Sequence, residues 1–350
     1  MLKARFKKHT LIFKRPSGTS RGVLSTKDSW FIFLSNENEP TIIGIGECSL
    51  IPGLSPDILQ LFEIELNTLC QNIENYALWI ETRSMLFPAI RFGLETAIND
   101  LAEGGKHFFG NTDFTNGTAG IPTNGLVWMG NPEFMKLQIR EKLKKGFTCI
   151  KIKVGAISFA DEIDVIQTIR KEYSHQHIEL RLDANGAFSP EEALEKLKRL
   201  SEFGIQSIEQ PIKPKQFELM SQLCLQSPIP IALDEELIAI DESNQADLLR
   251  QIKPAYIILK PSLLGGIKNS NNWANIAESL GIGWWVTSAL ESNIGLNAIA
   301  QWTFKTQNPL THGLGTGELF TNNIGSPLEL SNGKLFYYPE KKWKTDKIAR

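Results

Sequence analysis

From residue 125 onward the chain repeats one pattern, a short apolar run followed by a longer amphipathic stretch. The runs are GLVWM, TCIKIKV, IELRLDA, IQSIEQP, PIALDE, YIILKP and GWWVTSA, and stretches such as SPEEALEKLKRLSEFG separate most of them. Short strands alternating with helices predict βα units and a parallel sheet. Seven such units, with an eighth strand expected at HGLGTG, occupy about 200 residues and predict a (β/α)8-type barrel. In that fold functional side chains belong at the C-terminal ends of strands. A doubly wound open sheet is the alternative, but no strand is followed by GxGxxG or GxxxxGK[ST], so nucleotide binding has no support.

Residues 1 to about 115 carry a different pattern and predict α+β structure. HTLIFK, DSWFIFLS and PTIIGIGEC are expected strands, with a turn at RPSGTSRG. SPDILQLFEIELNTLCQNI and FPAIRFGLETAINDLAEG have helical periodicity, and the Gly-, Thr- and Asn-rich KHFFGNTDFTNGTAGIPTNG is expected to link the two regions.

Composition narrows the function classes. With 350 residues, 42% of them hydrophobic, the chain can bury a large core. A net charge of −2 without a basic stripe argues against nucleic acid or an anionic membrane as partner. Four scattered cysteines without a CxxC pair predict neither disulfides nor structural zinc. The basic N-terminus lacks an apolar signal region, and no run approaches the ~18 apolar residues of a membrane span. A cytoplasmic protein is expected, and nothing in the pattern sets an oligomeric state.

The polar residues interrupt this picture at informative places. In KIKVG, Lys151 and Lys153 share one strand face while isoleucines take the other. Lys153 closes the second expected barrel strand, Asp183 the third, Glu209 the fourth, Asp234 the fifth and Lys260 the sixth. From Asp183 the intervals are 26, 25 and 26 residues, one βα unit each, which sets all five around one barrel mouth. Three converging carboxylates would repel and raise one another's pKa values. A hard divalent cation removes that conflict, so Asp183, Glu209 and Asp234 are expected to ligate Mg2+, with Mn2+ as a substitute ion. Beside a metal and a second cation, one lysine can serve as a base near neutral pH.

With KIK, DAN, EQP, DE and LKP in this order and spacing, the chain resembles the enolase superfamily, within it the subgroup of muconate-lactonizing enzyme. The resemblance covers essentially the whole chain. It implies an α+β capping domain over residues 1–115, a modified barrel over 116–320, and a segment, 321–350, that returns to the cap. The resemblance also implies a lysine base and a magnesium-stabilised enediolate, both general to that superfamily. Within the subgroup, Arg181 two residues before Asp183, Ser288 and Glu291 in TSALESNIGL, and HGLGTG where dipeptide epimerases carry an acidic pair point to one branch. Its reaction is syn-dehydration of 2-succinyl-6-hydroxy-2,4-cyclohexadiene-1-carboxylate to o-succinylbenzoate, a step of menaquinone synthesis. The implied partner is thus a small-molecule carboxylate.

The resemblance casts Lys153 as the base and Lys260, opposite, as a cation supporting the intermediate. Asn185 and Glu235 would orient the metal ligands. Lys151 and Arg181 either contact substrate or pair with neighbouring acids. Amides at the start of SNIGL would suit a substrate carboxylate, with Ser292 as helix cap. PSGTSRG and SLIPGLS are the cap segments expected near substrate. An N-acylamino acid racemase using both lysines as opposed bases is the rival from the same family. A Schiff-base aldolase and a homologue that only binds a small acid are more distant, and the retained carboxylates and lysines argue against both. One departure stands out: the family's Pro-Gly-Leu-Gly signature is replaced by NGKLFYYPEKKW.

Overall fold

A computed structural model describes residues 1–19 and 22–349. Strands β1 (Leu2–Thr19), β2 (Gly22–Asn36) and β3 (Glu39–Ser49) form an antiparallel sheet in that order. Helices α1 (Phe62–Gln71), α2 (Tyr76–Arg83) and α3 (Pro88–Ala102) follow. Both faces of β2 are covered, which explains the unbroken apolar run WFIFL. Trp30, Ile32 and Leu34 pack on the helices, whereas Phe31 and Phe33 pack on Ile45, Ile294 and Ile348. The glycines of GIG let β3 lie directly on α3: a Cβ on Gly46 would stand 1.8 Å from the Gly93 carbonyl. The expected turn RPSGTSRG is largely strand, with a register shift between Ile12 and Ser17. Its Ser20 and Arg21 lie outside the described residues. Helix α2 was not anticipated, because Trp79 is its only buried residue and no apolar stripe marks it.

A short strand β4 (Ile121–Pro122) precedes the parallel sheet. Its strands are β5 (Gly125–Val127), β6 (Cys149–Lys153), β7 (Glu179–Asp183), β8 (Ser207–Glu209), β9 (Ile231–Leu233), β10 (Tyr256–Leu259) and β11 (Gly283–Val286). They pair strictly in sequence order, one strand for each apolar run. HGLGTG contributes only two bridged residues: His312 pairs with Thr123 and Gly313 with Thr287, which joins the two edges of the sheet. His312 fixes this seam, since its Nδ1 accepts the Val286 N–H at 3.1 Å. Burial lowers its pKa to about 4, so the ring is neutral.

Outside the strands lie α4 (Pro132–Lys144), α5 (Phe159–Glu172), α6 (Pro190–Ser201), α7 (Phe217–Gln226), α8 (Gln245–Ile252), α9 (Pro261–Leu264), α10 (Gly266–Ser279) and α11 (Asn293–Thr306). Ile150, Ile152, Leu180 and Leu182 share the large core of the helix–sheet layer. Alternation then sends Lys151, Lys153, Arg181 and Asp183 to the barrel interior. The segment expected as a linker is tightly packed, with Phe114 fully buried and stacked 5.7 Å from Phe304. Strands β12 (Leu328–Ser331) and β13 (Lys334–Tyr337) pair onto β4, and α12 (Asp346–Ala349) sets Ile348 against the cap strands. The run NGKLFYYPEKKW thus lies against the barrel, where Leu335 and Tyr337 join the main core.

Candidate active site

Taking β5 as first position, β6 is second and β10 sixth of eight, so Lys153 and Lys260 face each other across the barrel. Asp183 and Glu209 end β7 and β8 in direct register, and Asp234 follows β9 immediately. All five are buried or nearly so, as are Lys151 and Glu235. Lys151 Nζ lies 3.0 Å from Asp183 and 2.5 Å from Glu209. Lys153 Nζ donates to Asp183 at 3.0 Å and to Asn185 Oδ1 at 2.5 Å. Lys260 Nζ donates to Asp234 at 2.5 Å. Asn185, at φ 43°, links the lysine to the acids, since its Nδ2 donates to Glu235 at 2.9 Å.

The electrostatics follow from burial and these partners. Burial alone would raise the Asp183 pKa, but the charges of Lys151, Lys153 and Lys260 together hold it well below the usual carboxylate range. Burial pulls against the ammonium of Lys151, yet Asp183, Glu209 and Asp234 outweigh it and keep this lysine firmly charged. Burial pushes Glu209 and Glu235 up to about 7. Three lysines and four carboxyl groups thus share the mouth.

The donor set fits a hard divalent cation. It offers oxygen ligands from three adjacent strand ends, and Glu209 Oε1 and Glu235 Oε2 are buried without a hydrogen-bond partner. Among the described residues no three acidic, His or Cys side chains converge on one point, because the carboxylates are turned onto the lysines.

Two of the named residues do not reach the cavity, and for Arg181 it is the expected pairing with a neighbouring acid that is found. Arg181 is buried one layer below the mouth: Nε bonds Glu179 at 2.7 Å, Nη1 bonds the Thr311 carbonyl at 2.8 Å, and the guanidinium stacks 4.2 Å from Trp285. It does not line the cavity. Ser288 does, but Glu291 sits behind it, fully buried and bonded to the hydroxyls of Ser262 and Ser288. Ser292 does cap α11. The amides there are not free for substrate: Ser292 N and Gly295 N donate to Glu47 of β3 at 2.8 and 2.9 Å, and Ser292 Oγ donates at 2.5 Å. A carboxylate from the cap already meets the positive end of the helix.

Ile51 and Leu54, both in SLIPGLS, close the cavity from the cap side, together with Trp128 and Leu319 from the barrel. Of PSGTSRG, Pro16 and Gly22 do not line the cavity, and the side chains of residues 17–21 lie outside what the structure describes. The structure adds Glu47, Gln210, Asn124 and Lys142, which sequence reasoning missed. Gln210 Oε1 accepts the Asp234 and Glu236 amides at 3.3 and 3.2 Å and so holds the fifth strand end; its place in EQP was the available signal. For Glu47 the only signal was an acid ending an apolar strand.

A barrel closed at its eighth position by two residues, capped by an α+β sheet and carrying lysine, three acids and lysine on successive strands, defines the class. The chain belongs to the enolase superfamily: the enolase C-terminal domain-like family matches residues 135–340. An o-succinylbenzoate synthase from Desulfotalea psychrophila is 45% identical over 94% of this chain and 97% of its own length. The crystal structure of MenC from that organism superposes with a TM-score of 0.84 at 41% identity, covering 96% of this chain and 99% of that one. A dipeptide epimerase from Enterococcus faecalis, complexed with Mg and the dipeptide L-Leu-L-Tyr, shares the fold at a TM-score of 0.83 and 22% identity, with 98% of each chain covered. Among the described residues no helix is long and apolar enough to cross a membrane.

Proposed function

We propose that this chain is a magnesium-dependent o-succinylbenzoate synthase, acting in the cytoplasm on 2-succinyl-6-hydroxy-2,4-cyclohexadiene-1-carboxylate in menaquinone synthesis. One observation carries the reading. Lysines face each other across three strand-end carboxylates, in a chain 45% identical to a synthase of that name over nearly its whole length. The rival, racemisation of an N-acylamino acid, could use the same two lysines, but a relative of that identity and coverage favours dehydration.

Asp183, Glu209 and Asp234 would hold Mg2+, or Mn2+ in its place. When bound, the metal stabilises the negative charge that develops on the substrate carboxylate. Lys153 takes the proton alpha to the carboxylate, held toward it by Asn185. Loss of the ring hydroxyl as water then aromatises the ring. Lys153 returns the proton to the departing oxygen, so both events occur on one face and the elimination is syn. Lys260 supports the anionic ring from the opposite side. Lys151 stays charged between Asp183 and Glu209 and sets their spacing. Ile51, Leu54, Trp128 and Leu319 keep bulk water off the anion.

Proton NMR in D2O with N-succinyl-phenylalanine tests the rival directly. The dehydratase reading expects α-proton exchange far slower than turnover of the diene. Exchange that outpaces dehydration would reassign the enzyme as a racemase.

A further inference from the structure

The proposed mechanism gives no task to Glu291, a fully buried acid behind the cavity wall. Each of its oxygens takes a hydroxyl from a different loop. Oε1 accepts Ser262 Oγ at 2.5 Å, and Oε2 accepts Ser288 Oγ. Ser262 stands two residues beyond Lys260, in α9, whose Leu263 and Leu264 amides bond the Lys260 carbonyl at 2.9 and 3.0 Å. Ser288 lines the cavity and accepts the Thr316 hydroxyl at 2.8 Å and the Leu290 N–H at 3.1 Å. One carboxyl group thus fastens together the segments that follow the sixth, seventh and eighth strand positions. Leu290, also on the cavity wall, is held at φ 63°, a conformation that a bulky side chain keeps only where its surroundings enforce it.

The cap supplies the charge opposite this carboxyl group. Lys27 of β2 is buried, and its ammonium donates to the hydroxyls of Ser49 and, at 3.4 Å, Ser29. Ser29 in turn donates to Glu47 at 2.8 Å. Glu47 and Glu291 are neighbours: a Cβ on Gly295 would stand 3.0 Å from Glu47 Oε2 and 2.8 Å from the Glu291 stem. Burial raises the Glu291 pKa, and the bonds from Ser262 and Ser288 and the charge of Lys27 oppose that rise. Removing the one cation from such a buried cluster leaves its acids uncompensated.

We infer that Glu291 is a positioning residue for Lys260, acting through Ser262, and that Lys27 seats it from the cap. Lys260 is tied to Asp234 at its tip, so the direction of its ammonium depends on where α9 sets its backbone. The wall beside the metal site is then complete only with the cap in place. The inference rests on the reaction proposed above for what Lys260 does, and on the hydrogen bonds alone for where it sits.

The test compares wild-type enzyme with Glu291→Gln, Ser262→Ala and Lys27→Met, all loaded with Mg2+. Glutamine keeps the shape of Glu291 but offers one acceptor where two hydroxyls need one each. In Glu291→Gln and Ser262→Ala, kcat for the diene should fall on the order of tenfold, with KM within about twofold of wild type. Lys27→Met should follow, and added to Glu291→Gln it should cost little more, since both act through one contact. NMR of protein labelled with [ε-13C]lysine reads the surroundings of Lys260 without turnover, its signal assigned by Lys260→Arg. That signal should shift in Glu291→Gln and in Ser262→Ala. Wild-type kcat, or an unmoved Lys260 signal, in these two folded variants would overturn the inference, and additive losses would remove Lys27 from it. Wild-type protein that leaves the diene intact would overturn the reaction, and the Lys260 signal would still decide the positioning.

Discussion

Two lysines two positions apart share a face and nearly a location, yet their partners separate their roles. Lys151 is locked between two carboxylates, whereas Lys153 shares one carboxylate with a neutral amide. Lys153→Ala should reduce turnover by about a thousandfold or more, within the range for a lost general base and acid. Magnesium binding, followed by calorimetry, should persist; turnover within tenfold of wild type would remove Lys153 as the base. Strand parity made the inward direction of both lysines legible in the sequence, because isoleucines fill the alternate positions. Parity does not give depth. Arg181 shares its face with Asp183 but starts two residues earlier, about 6–7 Å down the strand, and so bonds to Glu179 and stacks on Trp285 below the mouth.

At the scale of elements, β3 and α11 pack Ile45 with Ile294 and are hydrogen-bonded through one side chain. Glu47 accepts hydrogen bonds from Ser29, Ser292 and Gly295, tying the cap sheet to a barrel helix at the foot of the seventh strand loop. Replacing it by Gln removes a buried charge from a helix N-terminus and leaves a surplus N–H donor. A loss of about 3 kcal/mol is expected, read as a lower urea midpoint. A midpoint equal to wild type would show that the cap is held by other contacts. The helix start in SNIGL was legible from its sequence, cap residue included. What fills its amides was not, since Glu47 and Ser292 stand 245 residues apart and only folding brings them together. The strands were legible for the opposite reason. Each apolar run faces a helix layer, so its pattern is set locally, whereas α2 buries a single tryptophan and left no such trace.

For the molecule as a whole, closure of the barrel depends on His312 in its neutral form. Its folded pKa of about 4 lies below the ordinary value of 6.5, so the unfolded chain binds the proton more readily. The stability it contributes is complete above pH 6.5 and is lost as pH falls toward 4. Equilibrium denaturation across that window should show a steeper decline in wild type than in His312→Asn, which retains an acceptor for the Val286 N–H without the titration. Equal slopes would place the acid sensitivity elsewhere.

The same closed barrel sets lysine against lysine over three acids, and the central claim is what that mouth does. The most direct measurement is the ultraviolet absorbance of freshly prepared 2-succinyl-6-hydroxy-2,4-cyclohexadiene-1-carboxylate mixed with the purified protein, with Mg2+ and then with EDTA. Rapid loss of the diene signal, formation of o-succinylbenzoate and arrest by EDTA are the predicted result. A folded, magnesium-loaded protein that leaves the diene intact, or one that consumes it equally well in EDTA, would contradict the account.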